Sequence, residues 1–252
     1  MNLVLEAVQW ILDPANYVGD NSIPVRMLQH LGFTLLTLLL ASLIAIPLGF
    51  FIGHTGRGRT LAVSGAGAFR AIPTLGLLTL VALTVGIGLA APYVALTILA
   101  IPPILAGAYT GFEAIDRRTI DAARSVGMSE GQIVRRVEIP LGLPLLIGGI
   151  RSSALQVIAT ATLAAYIADF GLGRYLFTGL RTLDYAQMLG GSILVILLAL
   201  ILEGIFATIQ RFVIPHGVTH GRTAPGRPSA RIRRGSTRPH PEMDSTIEEG
   251  TT

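Results

Sequence analysis

Three ionisable side chains stand inside long apolar runs: Arg70, Arg151 and Glu203. A charge placed in hydrocarbon costs at least about 2.5–3.5 kcal/mol on insertion scales, so such groups pair, line water or snorkel to an interface. Measured from the inner ends of the expected spans at about 1.5 Å per residue, all three lie roughly 13–15 Å deep. Equal depth permits an intramembrane ion pair between Glu203 and either Arg151 or Arg70; separate snorkelling is the plainer alternative. Bond-breaking chemistry finds no comparable foothold. There is no Gly-x-Ser-x-Gly, no His-Glu-x-x-His and no grouped metal ligands, so no catalytic residue and no metal site are expected. The chain has no cysteine, which excludes thiolate chemistry. The glycines of Gly53–Thr60 lack phosphate-loop spacing and a lysine, and read as a short basic turn.

The elements that must hold these charges follow from composition. Of 252 residues, 51% are hydrophobic and only 13% charged, against about 25% charged in soluble domains. The apolar excess is gathered in runs long enough to cross about 30 Å of hydrocarbon. The fold class is therefore an all-α polytopic membrane protein with about five transmembrane helices: Met27–Ile52, Leu61–Ile87 (broken by Pro73), Ala91–Phe112, Leu141–Ala165 and Ala186–Phe212. Two short helices meeting near Pro73 would make six. Residues 1–26 form an extracytoplasmic or interfacial segment. Its run 3–12 is too short to span, and Trp10 and Tyr17 suit an interface. Residues 27–212 form the membrane domain, with a charged loop over 113–140. Tyr166–Tyr185 is expected as a glycine-rich outer loop. Residues 213–252, rich in Pro, Gly, Ser, Thr and Arg, are expected as a disordered cytoplasmic tail. Arginine placement gives a positive-inside bias: Arg57, Arg59, Arg117, Arg118, Arg124, Arg135, Arg136 and Arg211 face inward, and Arg26, Arg174 and Arg181 outward. That sets the N-terminus outside and the C-terminus in the cytoplasm.

The loop carries a patterned segment from Asp121 to Pro140. Gly127 suits a left-handed helix end. Ser129 with Gln132 is a capping-box start. Pro140 is expected to end the second helix. Ala122 and Ala123 offer a smooth small-residue face for a partner's groove.

This segment resembles the coupling signature of bacterial ABC import permeases: Glu-Ala-Ala, three residues, Gly, nine residues, Ile-x-Leu-Pro. Here the pattern is Asp121-Ala122-Ala123, Gly127 and Val137-Glu138-Ile139-Pro140, with every spacing kept and conservative changes of Glu to Asp, Ile to Val and Leu to Ile. Ala71-Ile72-Pro73-Thr74-Leu75, Tyr109-Thr110-Gly111, Gly171-Leu172-Gly173 and Phe177-Thr178-Gly179-Leu180 are similar to the quaternary-amine branch, which carries glycine betaine, choline and carnitine. Asp169-Phe170 depart from that branch, where small residues are common. The resemblance covers about Leu28–Phe212.

The resemblance implies a permease subunit, not an enzyme, moving a small solute by alternating access across the inner membrane. It implies ATP and Mg on partner ATPase subunits, no cofactor on this chain, a second permease subunit (identical or similar) and an extracytoplasmic substrate-binding protein. Asp121, Ala122, Ala123, Gly127, Val137, Ile139 and Pro140 are then the ATPase-coupling residues. Tyr166, Asp169, Phe170, Gly171 and Gly173 are candidates for the translocation path or outer gate. Tyr166, Phe170, Tyr175, Phe177 and Tyr185 are either an interfacial belt or a weak cation–π lining. The alternatives are a permease for another small solute such as an amino acid, and an ion-coupled secondary transporter using Glu203 and Asp169.

Overall fold

The computed structural model describes residues 2–213; the expected tail from residue 214 onward and the side chain of Arg70 lie outside the described residues. Among the described residues every regular element is helical. Helix α1 (Leu3–Leu12) starts at Asn2, whose side chain accepts from the Val4 N–H. It lies along the last span. Trp10 sits over Gly190, where a Cβ would come 2.5 Å from the indole, and meets Tyr175 edge-on at 5.0 Å. Trp10 is therefore half-buried in protein, whereas Tyr17 stays exposed.

Helix α2 (Ile23–Thr55) is longer at both ends than the expected Met27–Ile52. Pro24 in the first turn presets its φ for the helix, and Gly56, at φ 71°, closes it. The boundary expected at residue 26 thus falls inside a helix, and the Arg26 side chain is buried. Helices α3 (Arg59–Ala71) and α4 (Thr74–Val85) bend by 94°. The bend is at Pro73, which holds Ile72 in the extended region at ψ 124°. Helix α5 (Ala90–Glu113) follows. Among the described residues four helices are long and apolar enough to cross a membrane, or five if the bent pair is one span.

The loop after α5 contains α6 (Arg117–Ser125) and α7 (Glu130–Ile133). Here the expected stop at Pro140 is overturned. After α7, a π-helical turn over Val134–Glu138 leads into α8 (Ile139–Thr160) without a break. The Ile139 N–H bonds the Val134 carbonyl, five residues back. A proline interrupts a helix by lacking an N–H and crowding the carbonyl four residues back. The wider turn changes that register just before Pro140, which then occupies the first turn of α8, where its missing N–H is tolerated.

A 3₁₀ turn, Ala161–Tyr166, ends α8. The expected outer loop is also corrected: it contains α9 (Gly173–Thr182). Its glycines mark close packing. A Cβ on Gly173 would strike the Thr162 backbone, and one on Gly179 would come 2.7 Å from the Asp184 carbonyl. Leu183, at φ 59°, turns the chain into α10 (Tyr185–Val213).

Helix α5 is the centre of the bundle, with α2 and α8 against it. The helices meet at backbone distance. A Cβ on Gly107 would lie 2.7 Å from the Leu145 carbonyl, one on Gly149 2.6 Å from the Pro103 carbonyl, and one on Gly111 2.7 Å from the Gly142 carbonyl. Small residues allow this approach, which drives helix association where lipid removes the hydrophobic contrast. The same contact repairs α5. Pro103 leaves the Leu99 carbonyl without its usual donor, and Gln156 Nε2 donates to it at 3.4 Å. Ser153 Oγ donates to Ala100 O at 3.0 Å. Thus α8 supplies donors where the Pro102-Pro103 pair loosens the ladder of α5.

Gly149→Val should separate α5 from α8. Lower yield of correctly assembled subunit and a lower melting temperature in detergent are the expected outcomes, with Gly148→Val, which meets nothing within 4 Å, as the tolerated control.

Candidate functional site

The turn between α5 and α8 is a small folded unit. Asp116 caps α6 by accepting from the Arg118 N–H at 2.9 Å. The C-terminus of α6 is a Schellman motif: Met128 N–H bonds Ala123 O at 3.2 Å and Gly127 N–H bonds Arg124 O at 2.9 Å. Gly127 carries the required left-handed φ of 83°. Ser129 and Gln132 form a reciprocal capping box, with Ser129 N–H donating to Gln132 Oε1 at 2.9 Å. Beneath the turn, Ile120, Ala123 and Ile133 form a core with Ile115, Met128 and Val137.

This core corrects the expected alanine face. Ala122 is exposed, but Ala123, about 100° further round the helix, is buried against Ile120 and Ile133. Asp121 and Ala122 are on the exposed side. Val137 and Ile139 are partly covered, and Pro140 is exposed at the start of α8. The outward surface of the signature is Asp121, Ala122, the Gly127 bend and Pro140; Ala123 and Val137 support the turn from inside.

Glu203 and Arg151 come together across α8 and α10. Arg151 Nε donates to Glu203 Oε2 at 2.8 Å and Nη2 donates to Oε1, a two-bonded fork. Arg151 Nη1 also donates to Gln210 Oε1 at 3.0 Å. Gln210 in turn reaches the Pro144 carbonyl at 3.5 Å. One polar seam therefore joins the two apolar helices.

At the opposite end of the bundle, Asp169 accepts from buried Arg26 at 2.9 Å and lies 3.2 Å from Arg174. Arg26 also donates to the Asp169 carbonyl at 3.0 Å. One turn further along α2, His30 engages the same segment. Its Nδ1 accepts from the Leu172 N–H at 3.3 Å, and its Nε2 lies 2.9 Å from Ile158 O. An accepting Nδ1 assigns the proton to Nε2, which donates to Ile158. Gly171, at φ 67°, lies against the His30 ring, and Gly173 is packed on Thr162. The segment 167–172 is thus tied to α2 by Arg26 and His30.

The outer aromatics do not form one lining. Tyr166 pairs with Phe177 at 5.7 Å, and Phe170 with Phe33 at 6.1 Å. Tyr175 is buried against Trp10 and donates to Asn21 O at 2.5 Å. Burial pushes its phenol pKa upward, with Arg26 acting in the opposite sense. Tyr185 is exposed. Among the described residues no group of three His, Asp or Glu side chains is arranged to hold a metal ion.

Arg26, His30, His54 and Glu138, which the sequence does not mark as site residues, take part in these contacts or in those at the other end of α2. Arg26 and His30 stand four apart on one helical face, a spacing that signals a shared surface. The His54–Glu138 contact spans 84 positions and has no local signature.

Two outcomes are expected. Gly127→Val should lower solute uptake severalfold while the subunit still inserts, because a left-handed φ costs an L-residue about 1–2 kcal/mol; Gly127→Asn should retain more activity. Glu203→Gln should weaken assembly by leaving Arg151 without a counter-charge, and Arg151→Gln in the same chain should restore part of it, as read by detergent melting of both single variants and the double variant.

A family of binding-protein-dependent transport system inner membrane components matches residues 45–216, more than half of the chain. The chain is 32% identical over 190 residues to a glycine betaine/carnitine/choline transport system permease protein of Bacillus subtilis, covering 75% of this chain and 88% of that protein. It is 31% identical to a carnitine transport permease protein of Listeria monocytogenes, covering 81% and 94%. It is 29% identical to an osmoprotectant import permease protein of Salmonella typhimurium, covering 85% and 100%. A chain from inward-facing structures of the MetNI methionine ABC transporter superposes with a TM-score of 0.66 at 23% identity, covering 75% of this chain and 94% of that one. The chain belongs to the inner membrane component family of binding-protein-dependent transport systems.

Proposed function

We propose that this chain is the membrane-spanning subunit of an ATP-driven importer for a quaternary-amine osmoprotectant such as glycine betaine, choline or carnitine. The observation that carries the transport reading is the folded turn α6–α7, which presents Asp121 and Ala122 outward and runs directly into the spanning helix α8. A load applied to the turn reaches the membrane through the helix that continues from α7 into α8 instead of through a flexible loop. The family supports the transport reading, and the relatives named above support the solute class.

In this reading two permease subunits line the path and two ATPase subunits bind ATP and Mg and carry out the hydrolysis. An extracytoplasmic binding protein delivers the solute. The turn α6–α7 sits in a groove of the ATPase, and closure of the ATPases on ATP switches the bundle between inward- and outward-facing arrangements. The N-terminus is outside and the C-terminus cytoplasmic, as the arginine distribution favours. Tyr166, Asp169, Phe170, Gly171 and Gly173 belong to the outer gate, with the Arg26–Asp169 and His30 contacts holding its segment to α2.

The test is uptake into proteoliposomes holding this chain with its ATPase and binding protein. Radiolabelled glycine betaine should accumulate only with ATP and binding protein present, and should continue when a protonophore collapses the proton gradient. Uptake that follows the proton gradient and ignores ATP would overturn the reading. Accumulation of an amino acid but not of any quaternary amine would overturn the solute class alone.

A further inference from the structure

His54 stands in the last turn of α2, at the cytoplasmic end of the first span in the orientation proposed above. Its Nδ1 lies 2.7 Å from Glu138 Oε2 and its Nε2 3.5 Å from Glu130 Oε2. Glu138 is a carboxylate in the π-helical turn with a side chain only 7% exposed. A buried carboxylate needs a donor or a counter-charge, and His54 supplies the hydrogen bond. Glu130 also accepts two bonds from Arg124, at 2.9 and 3.2 Å, and Arg124 lies 3.5 Å from Asp121. A continuous polar chain therefore runs from Asp121 on the outward side of α6, through Arg124, Glu130 and His54, to Glu138 where α8 begins.

The neighbouring helix fixes the place of the imidazole. Gly53 packs on α5, where a Cβ would lie 2.8 Å from Phe112 Cβ, and Phe50 stacks on Phe112 at 4.7 Å. The end of α2 is thereby held to α5. On α5 the acidic side chain of this end, Glu113, is engaged by Arg59 at 2.8 Å. The charged groups about His54 are thus Glu138 from the π turn and Glu130 from α7, with Arg124 and Asp121 of α6 beyond Glu130.

We propose that His54 is a positioning residue, an imidazole clamped between Glu138 and Glu130 that fastens the first span to the α6–α7 turn and carries displacement of α6 into α2. This rests on the reading of α6 as the ATPase-facing element. An imidazolium donates from both nitrogens, to Glu138 through Nδ1 and toward Glu130 through Nε2. Alternating access in this subunit then uses two connections from the turn: the continuous helix into α8 and the side-chain clamp into α2.

The experiment uses the complete complex in lipid nanodiscs. The chain has no native cysteine, so spin labels enter at Thr55→Cys and Val126→Cys, with cysteine-free partner subunits. The distance distribution between them should be narrow in the unaltered chain and broad in His54→Leu. His54→Asn, which keeps a donor for Glu138, should be narrower than His54→Leu. In proteoliposomes His54→Leu should hydrolyse at least about fivefold more ATP per solute imported than the unaltered chain. A His54→Leu distribution matching that of the unaltered chain would overturn the clamp. A narrow distance that broadens in His54→Leu, in a complex that shows no ATP-driven uptake, would leave the clamp standing and refute the functional reading.

Discussion

The near-contact of backbones between α5 and α8 is the constraint from which the rest of the bundle takes its geometry. Gly107 meets Gly149 and Gly111 meets Gly142 with no room for a side chain on either helix. Only at that separation can Ser153 and Gln156 reach the α5 carbonyls near Pro102 and Pro103. The prolines and the glycines therefore form one arrangement. The prolines loosen α5 inside the membrane, and close packing brings the donors that satisfy it. Helix α2 is held to the other side of α5 by the same device at Gly53, and the α6–α7 turn is built over the ends of these helices.

Two kinds of link then connect the turn to the membrane. The first is covalent and helical, running from α7 through the π turn into α8. The second is polar and crosses to α2 through His54. At the far end of the bundle α2 is again bound by polar side chains, with Arg26 reaching Asp169 and His30 reaching Leu172 and Ile158. Helix α2 thus has specific polar contacts at both ends, and Ala41, Ala45 and Gly49 are buried in the packing between them. Those features suit an element that moves as a unit, since small-residue packing can slide without breaking a hydrogen bond in hydrocarbon.

Local patterns made much of this legible. Apolar runs located the four long helices and the bent pair. Gly127 and the Ser129–Gln132 pair located the bend because their conformations are set within a few residues. Depth counting put Arg151 and Glu203 at one level, where the structure joins them. Reading failed where a residue's meaning came from a distant neighbour. Pro140 looked like a stop because the π turn ahead of it has no simple composition. Gly173 and Gly179 looked like loop residues because their packing partners, Thr162 and the start of α10, are remote or unrecognised in sequence. Ala123 looked available because the small core beneath α6 gathers residues from both sides of the bend. The Glu138–His54 contact joins elements 84 positions apart, beyond any periodicity.

The central claim is that the outward side of α6 is the surface on which the ATPase acts. Site-directed cross-linking tests it most directly. A single cysteine at Ala122, introduced into this cysteine-free chain, would be paired in turn with cysteines along the groove of the co-purified ATPase. The account predicts a disulfide at Ala122→Cys whose yield changes between nucleotide-free and ATP-bound complexes, and none at Thr182→Cys at the end of α9. A complex that binds ATPase normally yet cross-links at neither Ala122 nor any other exposed position of α6 would contradict it.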